Sequence, residues 1–396
     1  MNFIFVSPHF PRTYWNFCDR LKRNGVNVLG IGDAPYDGLP AEVKSALTEY
    51  YYLPNLNDYD AAFRAVAFFS FKYGKIDWLE SNNEYWLEQD ARLRTDFNIT
   101  TGEQFANIGR IKNKSAMKAY YAKAGVPTAR LHKVTDIAAA KNFIEQVGYP
   151  VIVKPDVGVG ANDTFKLSND ADLEKFFASM PAVPYVMEEF ITGTICSYDA
   201  ILNDRSEPLF ESMTVFPLAI MDIVLNHLDL SYYVVAHAPE KICKVGRATA
   251  KAFGIKSRFV HLEFFRLTEA KAGLGEVGDF VGLEVNMRPA GGYTPDMINF
   301  AHSTDVYQIW ADMVTTNERR FVDGEQFYCV YASRRDMHSY VHTHEEILAR
   351  YGNSIVMCER MPEMMVPQMG NQMYTAKLAD AAATEEFIRF VQERQS

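Results

Sequence analysis

Apolar runs and helical periodicity alternate from the start of the chain. Residues 3–6 are apolar, 14–23 recur at helical spacing, Gly25 is placed to end that helix, and 26–31 are apolar again. This pattern predicts strand, helix, strand. A helix over 58–72 and an apolar run at 76–79 continue it, which implies a parallel sheet with helices against it. This first unit, 1–105, is Rossmann-like in outline. Its first strand runs into Ser7-Pro8-His9-Phe10-Pro11 and not into a glycine-rich turn, so no dinucleotide site is expected there.

Near Asn113 the pattern changes. Helical spacing covers 114–124, Gly125 can cap it, and Val126-Pro127 forces an extended exit. A helix over 136–147 ends at Gly148-Tyr149-Pro150 and leads into a strand at 151–154 that opens on a glycine-bearing loop. Strands dominate from Tyr185, a single helix is expected over 296–314, and the tail carries helices at 343–351 and 384–395. The expected division is 1–105, 106–185, 186–318 and 319–396, the middle two forming the small and large lobes of one two-lobed unit.

Composition narrows the functional classes. With 396 residues, 48% apolar and 23% charged, the chain is long enough for several cores and too apolar for disorder. A net charge of −10 provides no general field for nucleic acid or an anionic membrane, so any anion must be held locally. Five scattered cysteines without a Cys-x-x-Cys pair argue against a disulfide framework or a zinc site and favour a reducing cytoplasm. The N-terminus lacks a basic n-region, and no stretch approaches the roughly 18 apolar residues of a membrane helix. A soluble protein without a signal peptide is expected.

The most informative segment is 280–288. Strict alternation puts Val281, Leu283, Val285 and Met287 on one strand face and Glu284, Asn286 and Arg288 on the other. A carboxylate, an amide oxygen and a guanidinium spaced about 6.5 to 7 Å apart suit a magnesium phosphate site, or equally a solvated face with its own ion pair. A second strand at 259–266 directs His261 and Glu263 away from Val260, Leu262 and Phe264 and supplies another carboxylate. His261 itself is read as a packed, hydrogen-bonded residue, because magnesium prefers oxygen. Lys154 ends the strand at 151–154, ahead of Gly158 and Gly160, whose loop amides can approach phosphate oxygens. Alone, that loop reads as a plain turn, and it is not a Walker A loop.

In order and spacing these segments resemble the ATP-grasp superfamily, which includes biotin carboxylase, D-alanine:D-alanine ligase and the carboxylate-amine ligases. The resemblance covers about 108–316. Lys114, in Asn113-Lys114-Ser115-Ala116-Met117-Lys118, looks like the lysine that opens the nucleotide region, and Lys154 like the phosphate-binding lysine. Met187-Glu188-Glu189-Phe190-Ile191 resembles the hinge whose backbone receives adenine, and Glu263, Glu284, Asn286 and Arg288 look like the metal and phosphate set. The family commonly has a glutamate for the ribose where this chain has Ile195, and Asp199 is the nearest acid. The resemblance implies ATP and Mg2+, with Mn2+ as the alternative ion, held between two α+β lobes behind a Rossmann-like domain. It further implies a C-terminal subdomain like that of biotin carboxylase and leaves a homodimer open.

An enzyme of this kind turns a carboxylate into its acyl phosphate, which an amine displaces. Lys154 and Arg288 would offset charge on the moving phosphoryl group, and the substrate carboxylate would lie beside Arg288 and Ala290-Gly291-Gly292. The expected partners are small-molecule carboxylates and amines, amino acids among them. The alternatives are a carboxylating enzyme working through carboxyphosphate and an ATP-binding regulator without turnover. Segment 216–235 lines an acceptor pocket or forms core strands. His338, His342 and His344 are read as a polar helix entrance, and the methionines at 357, 361, 364, 365, 369 and 373 as adaptable packing.

Overall fold

Asn2–Val6, buried at its last four positions, is an inner strand of a parallel sheet in a computed structural model that describes residues 1–158 and 163–395. The sheet order is Glu49–Tyr52, Asn27–Gly32, Asn2–Val6, Trp78–Glu80, all parallel. The strand at Glu49–Tyr52, only half-buried at the sheet edge, has no strong apolar run and escaped the sequence pattern. Helix Tyr59–Tyr73 starts where expected because the Asp58 carboxylate accepts from Ala61 N at 3.0 Å.

A second, antiparallel sheet is ordered Leu131–Lys133, Tyr185–Glu189, Val151–Pro155, Phe165–Leu167. The third sheet has eight antiparallel strands, ordered Phe280–Asn286, Arg258–Leu267, Gly193–Leu202, Pro208–Phe216, Ser231–Val234, Tyr328–Arg334, Gln372–Leu378, Ile355–Arg360. The last three of these come from the tail and continue the sheet of the preceding strands.

Three sequence expectations need correction. The helix expected over 296–314 is two, Thr294–His302 and Val306–Thr316, because Ser303 adopts a left-handed backbone (φ 46°) and Asp305 caps the second helix. Helical spacing runs on through the break, and the polar Ser303-Thr304-Asp305 triplet was its only local sign. The final helix is Ala381–Gln392, started by the Asp380 cap on Ala383 N at 2.8 Å, three residues earlier than the pattern suggests. Segment 216–235 contributes the ends of two strands that pair Thr214 with Val234, but a short helix, Ile220–Leu225, lies between them.

Packing fixes where the parallel sheet points. Trp310, on helix Val306–Thr316, sits edge-on to Phe3, Phe5 and Phe17 at centroid distances of 5.6, 6.4 and 5.0 Å. One face of the parallel sheet thereby shares a core with residues beneath the large sheet, and helix Tyr59–Tyr73 covers the other face. At the sheet's carboxyl end a buried charge network crosses to the large sheet. The Glu80 carboxylate receives Arg94 at 2.8 Å and also Arg258, whose other nitrogen donates to Met287 O at 2.7 Å. Burial would raise Glu80, but the two guanidiniums hold it below its ordinary range, and burial plus the charge of Glu80 pushes Asp90 up to about 7. Glu80→Gln is expected to destabilise the protein by about 3–5 kcal/mol, since it strands two buried guanidiniums. A urea unfolding midpoint unchanged from the native protein would show the network to be dispensable.

Candidate active site

Helix Lys114–Ala124 can lie close against strand Phe280–Asn286 because residue 282 is glycine. A side chain there would meet the Tyr121 ring at 2.4 Å. The helix entrance is held from the opposite side by Asp156, whose carboxylate accepts from Ser115 N at 2.8 Å and Ser115 Oγ at 2.7 Å. Lys114, 8% exposed, is thus pinned between the sheets, its Nζ 3.1 Å from Gly158 O and 3.4 Å from Glu284 Oε1.

Strand Phe280–Asn286 does not alternate strictly. Glu284 pairs with Glu263 but Gly282 with Phe264, which leaves Leu283 as the extra residue of a bulge. The alternation therefore reverses at Leu283, and Val281 packs in a different cluster from Val285 and Met287. The expected common face for Val281, Leu283, Val285 and Met287 is corrected accordingly. The functional half survives because it lies beyond the bulge: Glu284 stands opposite Glu263, and the Asn286 amide nitrogen donates to Glu263 Oε1 at 3.4 Å. Arg288 follows the strand's end, its guanidinium donating to Pro289 O at 2.8 Å.

The paired carboxylates differ in environment. Burial raises Glu284, Glu263's charge raises it further, and Lys114 opposes this without prevailing. Burial also acts on Glu263, but His261, Arg288 and Lys154 outweigh it and leave Glu263 below its ordinary range. His261 bridges Asp199 at 2.7 Å and Glu263 at 3.1 Å. Burial would lower the imidazole, yet these two carboxylates push it up to about 9. His261 is therefore a hydrogen-bonded residue behind Glu263, as its type suggested.

Lys154 and Lys118 both reach Glu188, Lys154 at 2.6 Å. Burial would raise Glu188, but the two ammoniums push it down to about 2. Burial likewise opposes the charge on Lys154, which Glu188, Glu284 and Glu263 together hold above its ordinary range. Glu189 turns the other way, to Arg130 at 2.8 Å and Lys271 at 3.2 Å. Both glutamates lie inside the ladder, with Glu189 N donating to Arg130 O, so only Phe190 and Ile191 lie beyond it. Phe190 O accepts from Lys271 Nζ at 2.6 Å, and Ile191 is buried. Gly160 lies outside the described residues.

Strand Gly193–Leu202 pairs regularly with Arg258–Leu267, so Ile195 and Asp199 share a face. Asp199 is fully buried and taken up by Ser197, Thr214 and His261. The sequence reading assigned no role to Glu84, from the loop after Trp78–Glu80, or to Lys118. Glu84 lies 3.9 Å from Arg288 Nε and 3.7 Å from Lys112 Nζ. Its one sequence signal was its place just past the carboxyl end of a parallel strand, where α/β sheets bind ligands.

The donor set fits magnesium. Among the described residues no three acidic, histidine or cysteine side chains form a closed metal cage. Two carboxylates facing each other beside an amide are the partial oxygen set of an ion that keeps waters and phosphate oxygens as its other ligands. The burial and mutual repulsion that raise Glu284 are what a cation there would relieve.

A family model described as the ATP binding domain of the carbamoyl-phosphate synthase L chain matches residues 113–189. The L-arginine-specific L-amino acid ligase of Bacillus subtilis is 27% identical over 232 residues, 53% of this chain and 53% of that protein. The match thus spans about half the length of that relative. The crystal structure of L-amino acid ligase from Bacillus licheniformis superimposes with a TM-score of 0.70 at 17% identity, covering 98% of this chain and 96% of that one. The biotin carboxylase domain of Hydrogenobacter thermophilus 2-oxoglutarate carboxylase, a dimer solved with MgADP, ADP and bicarbonate, gives 0.68 at 14% identity over 95% and 86%. At these identities the likeness is one of fold, and it takes in the parallel sheet and the tail as well as the two lobes.

Proposed function

We propose that the chain is a member of the ATP-grasp superfamily and works as an ATP-dependent carboxylate-amine ligase. A carboxylate oxygen attacks the γ-phosphorus of ATP and ADP leaves. An amine then attacks the acyl carbon, phosphate leaves, and the amine gives up a proton as the amide forms. The observation that carries this reading is the facing pair Glu263 and Glu284, with Asn286 and Lys114 in contact with it and the charges of Arg288 and Lys154 within reach.

Glu263, Glu284 and Asn286 would hold Mg2+, or Mn2+ in its place, and the ion supplies charge neutralisation at the phosphates. Lys154, now held on Glu188, is placed to move to a phosphate, and Lys114 to bind ATP from the helix entrance. Gly158, with Gly160, belongs to the loop over the phosphates in this reading. The hinge residues Glu188 and Glu189 frame the adenine site, and contact falls to the backbone of Phe190 and Ile191. Arg288 would grip the transferred phosphoryl group and the substrate carboxylate with its planar fork. Amino acids are the substrates we favour, in keeping with a relative named as an amino acid ligase. The four divisions at 105, 185 and 318 belong to the same proposal, as does a cytoplasmic setting, which five unpaired cysteines support. No helix of the described residues is long and apolar enough to cross a membrane.

Calorimetry with ATP and magnesium tests the nucleotide assignment, and binding is expected. Turnover with a carboxylate labelled with oxygen-18 then tests the route: one label should appear in inorganic phosphate. Label in AMP, or unlabelled phosphate during productive turnover, would overturn the acyl phosphate. Phosphate release that requires bicarbonate and no other carboxylate would point to the carboxylating alternative.

A further inference from the structure

Two lysines converge on one buried carboxylate beside the proposed nucleotide site. Glu188, on strand Tyr185–Glu189, stands opposite Ile152, so Lys154, two residues along strand Val151–Pro155, reaches it diagonally on the same sheet face. Lys118 comes from helix Lys114–Ala124, one turn beyond Lys114. Each ammonium takes its own oxygen: Lys154 Nζ lies 2.6 Å from Glu188 Oε2, and Lys118 Nζ contacts Oε1. Glu188 is 5% exposed and Lys154 9%, and the Lys118 side chain is largely buried as well. The three groups together carry one positive charge more than the carboxylate balances.

The two lysines are not equivalent. Besides Glu188, the charges of Glu284 and Glu263 act on Lys154, which places its ammonium within reach of the metal and phosphate groups. The charges that act most on Lys118 are those of Glu188, Lys154 and Glu189. Lys154 is thus the ammonium that can leave for a phosphate, and Lys118 the one that stays. A carboxylate as buried as Glu188 strongly resists losing its only cation, because an unpaired interior charge is far less stable than a paired one. With Lys118 on the other oxygen, Glu188 remains paired when Lys154 moves.

We propose that Lys118 is a positioning residue for nucleotide binding: it keeps Glu188 paired, so that Lys154 can transfer from that carboxylate to a phosphate of ATP. This rests on the ATP part of the ligase reading and adds a residue to which that reading gives no task.

The test is calorimetry of the full chain with ATP and magnesium, native and as Lys118→Met, which keeps the length of the side chain without its charge. Without nucleotide the variant should melt close to the native protein, because Lys154 still pairs with Glu188. Its ATP affinity should fall about 10- to 100-fold, the worth of the charge-assisted contact that Lys154 would have to leave with nothing in its place. Lys118→Arg should recover part of the loss. In the double variant Lys118→Met/Glu188→Gln no carboxylate is left to strand, so ATP should bind about 10-fold or more tighter than in Lys118→Met. A lysine needed only for packing gives the opposite result, since a second substitution in the same cluster then adds to the damage. In the Glu188→Gln background, removal of Lys118 should change ATP affinity less than about threefold, a comparison that holds even where Lys118→Met alone does not fold. Native affinity in Lys118→Met, a double variant that binds no tighter than Lys118→Met, or a full loss in the Glu188→Gln background would overturn the proposal.

Amide formation from pairs of proteinogenic amino acids, scored in the same proteins, separates this proposal from the ligase reading. The expected binding pattern without any amide would leave Lys118 in its role and remove the ligase. Amide formation with unchanged ATP affinity in Lys118→Met would do the reverse.

Discussion

Glu284→Gln is expected to lower turnover about 100- to 1,000-fold, the usual loss when one electrostatic contribution to a transition state is removed. The amide keeps the shape of the side chain but not the charge that a hard cation requires. Stability should move differently from activity. Glu284 is buried opposite Glu263, and its carboxyl is raised, so its ionised form is disfavoured by the fold at neutral pH. A raised carboxyl of this kind gains stability as pH falls through its folded value, and a neutral amide makes that gain permanent. Lys114 loses a partner at 3.4 Å but keeps Gly158 O at 3.1 Å. The variant should therefore melt no lower than the native protein while losing its response to magnesium. Near-native turnover with an unaltered magnesium titration would remove Glu284 from the site, and a melting temperature well below native would recast it as a structural residue.

Arg288→Ala should depress the chemical step by a similar factor, about 100- to 1,000-fold, with a much smaller effect on ATP affinity. Its guanidinium acts on Glu263 electrostatically, and among the described residues only Pro289 O holds it by a hydrogen bond, which leaves it able to turn toward charge that develops during transfer. Single-turnover measurement at saturating ATP isolates that step. Arg288→Lys should rescue little, because a point charge cannot reproduce a planar fork of donors. Equal losses in ATP binding and in the chemical step would make Arg288 a nucleotide-binding residue and no more.

Both predictions concern residues legible in the sequence, and the reason is local. In a strand, side chains two apart share a face, so Glu284 and Asn286 could be placed together without a partner strand in view. The same rule failed one residue earlier, at Leu283, because a bulge forms only against the neighbouring strand's register. Lys154 stood out at the end of its strand, but its role and that of Lys114 came from the family resemblance of their segments and not from local pattern. Their partners were not legible, since Glu188 meets Lys154 and Lys118 only across a sheet and a helix.

Periodicity along the chain determined most of the elements, the parallel character of the first sheet and the half of the candidate site that lies beyond the bulge, because those follow from the geometry of one segment at a time. Tertiary structure alone decided that the tail strands extend the large sheet, that Glu80 reaches Arg258 across 178 residues, and that Glu84 stands beside Arg288. Each of these depends on two segments brought together by burial, and no spacing within either segment encodes which partner it will meet.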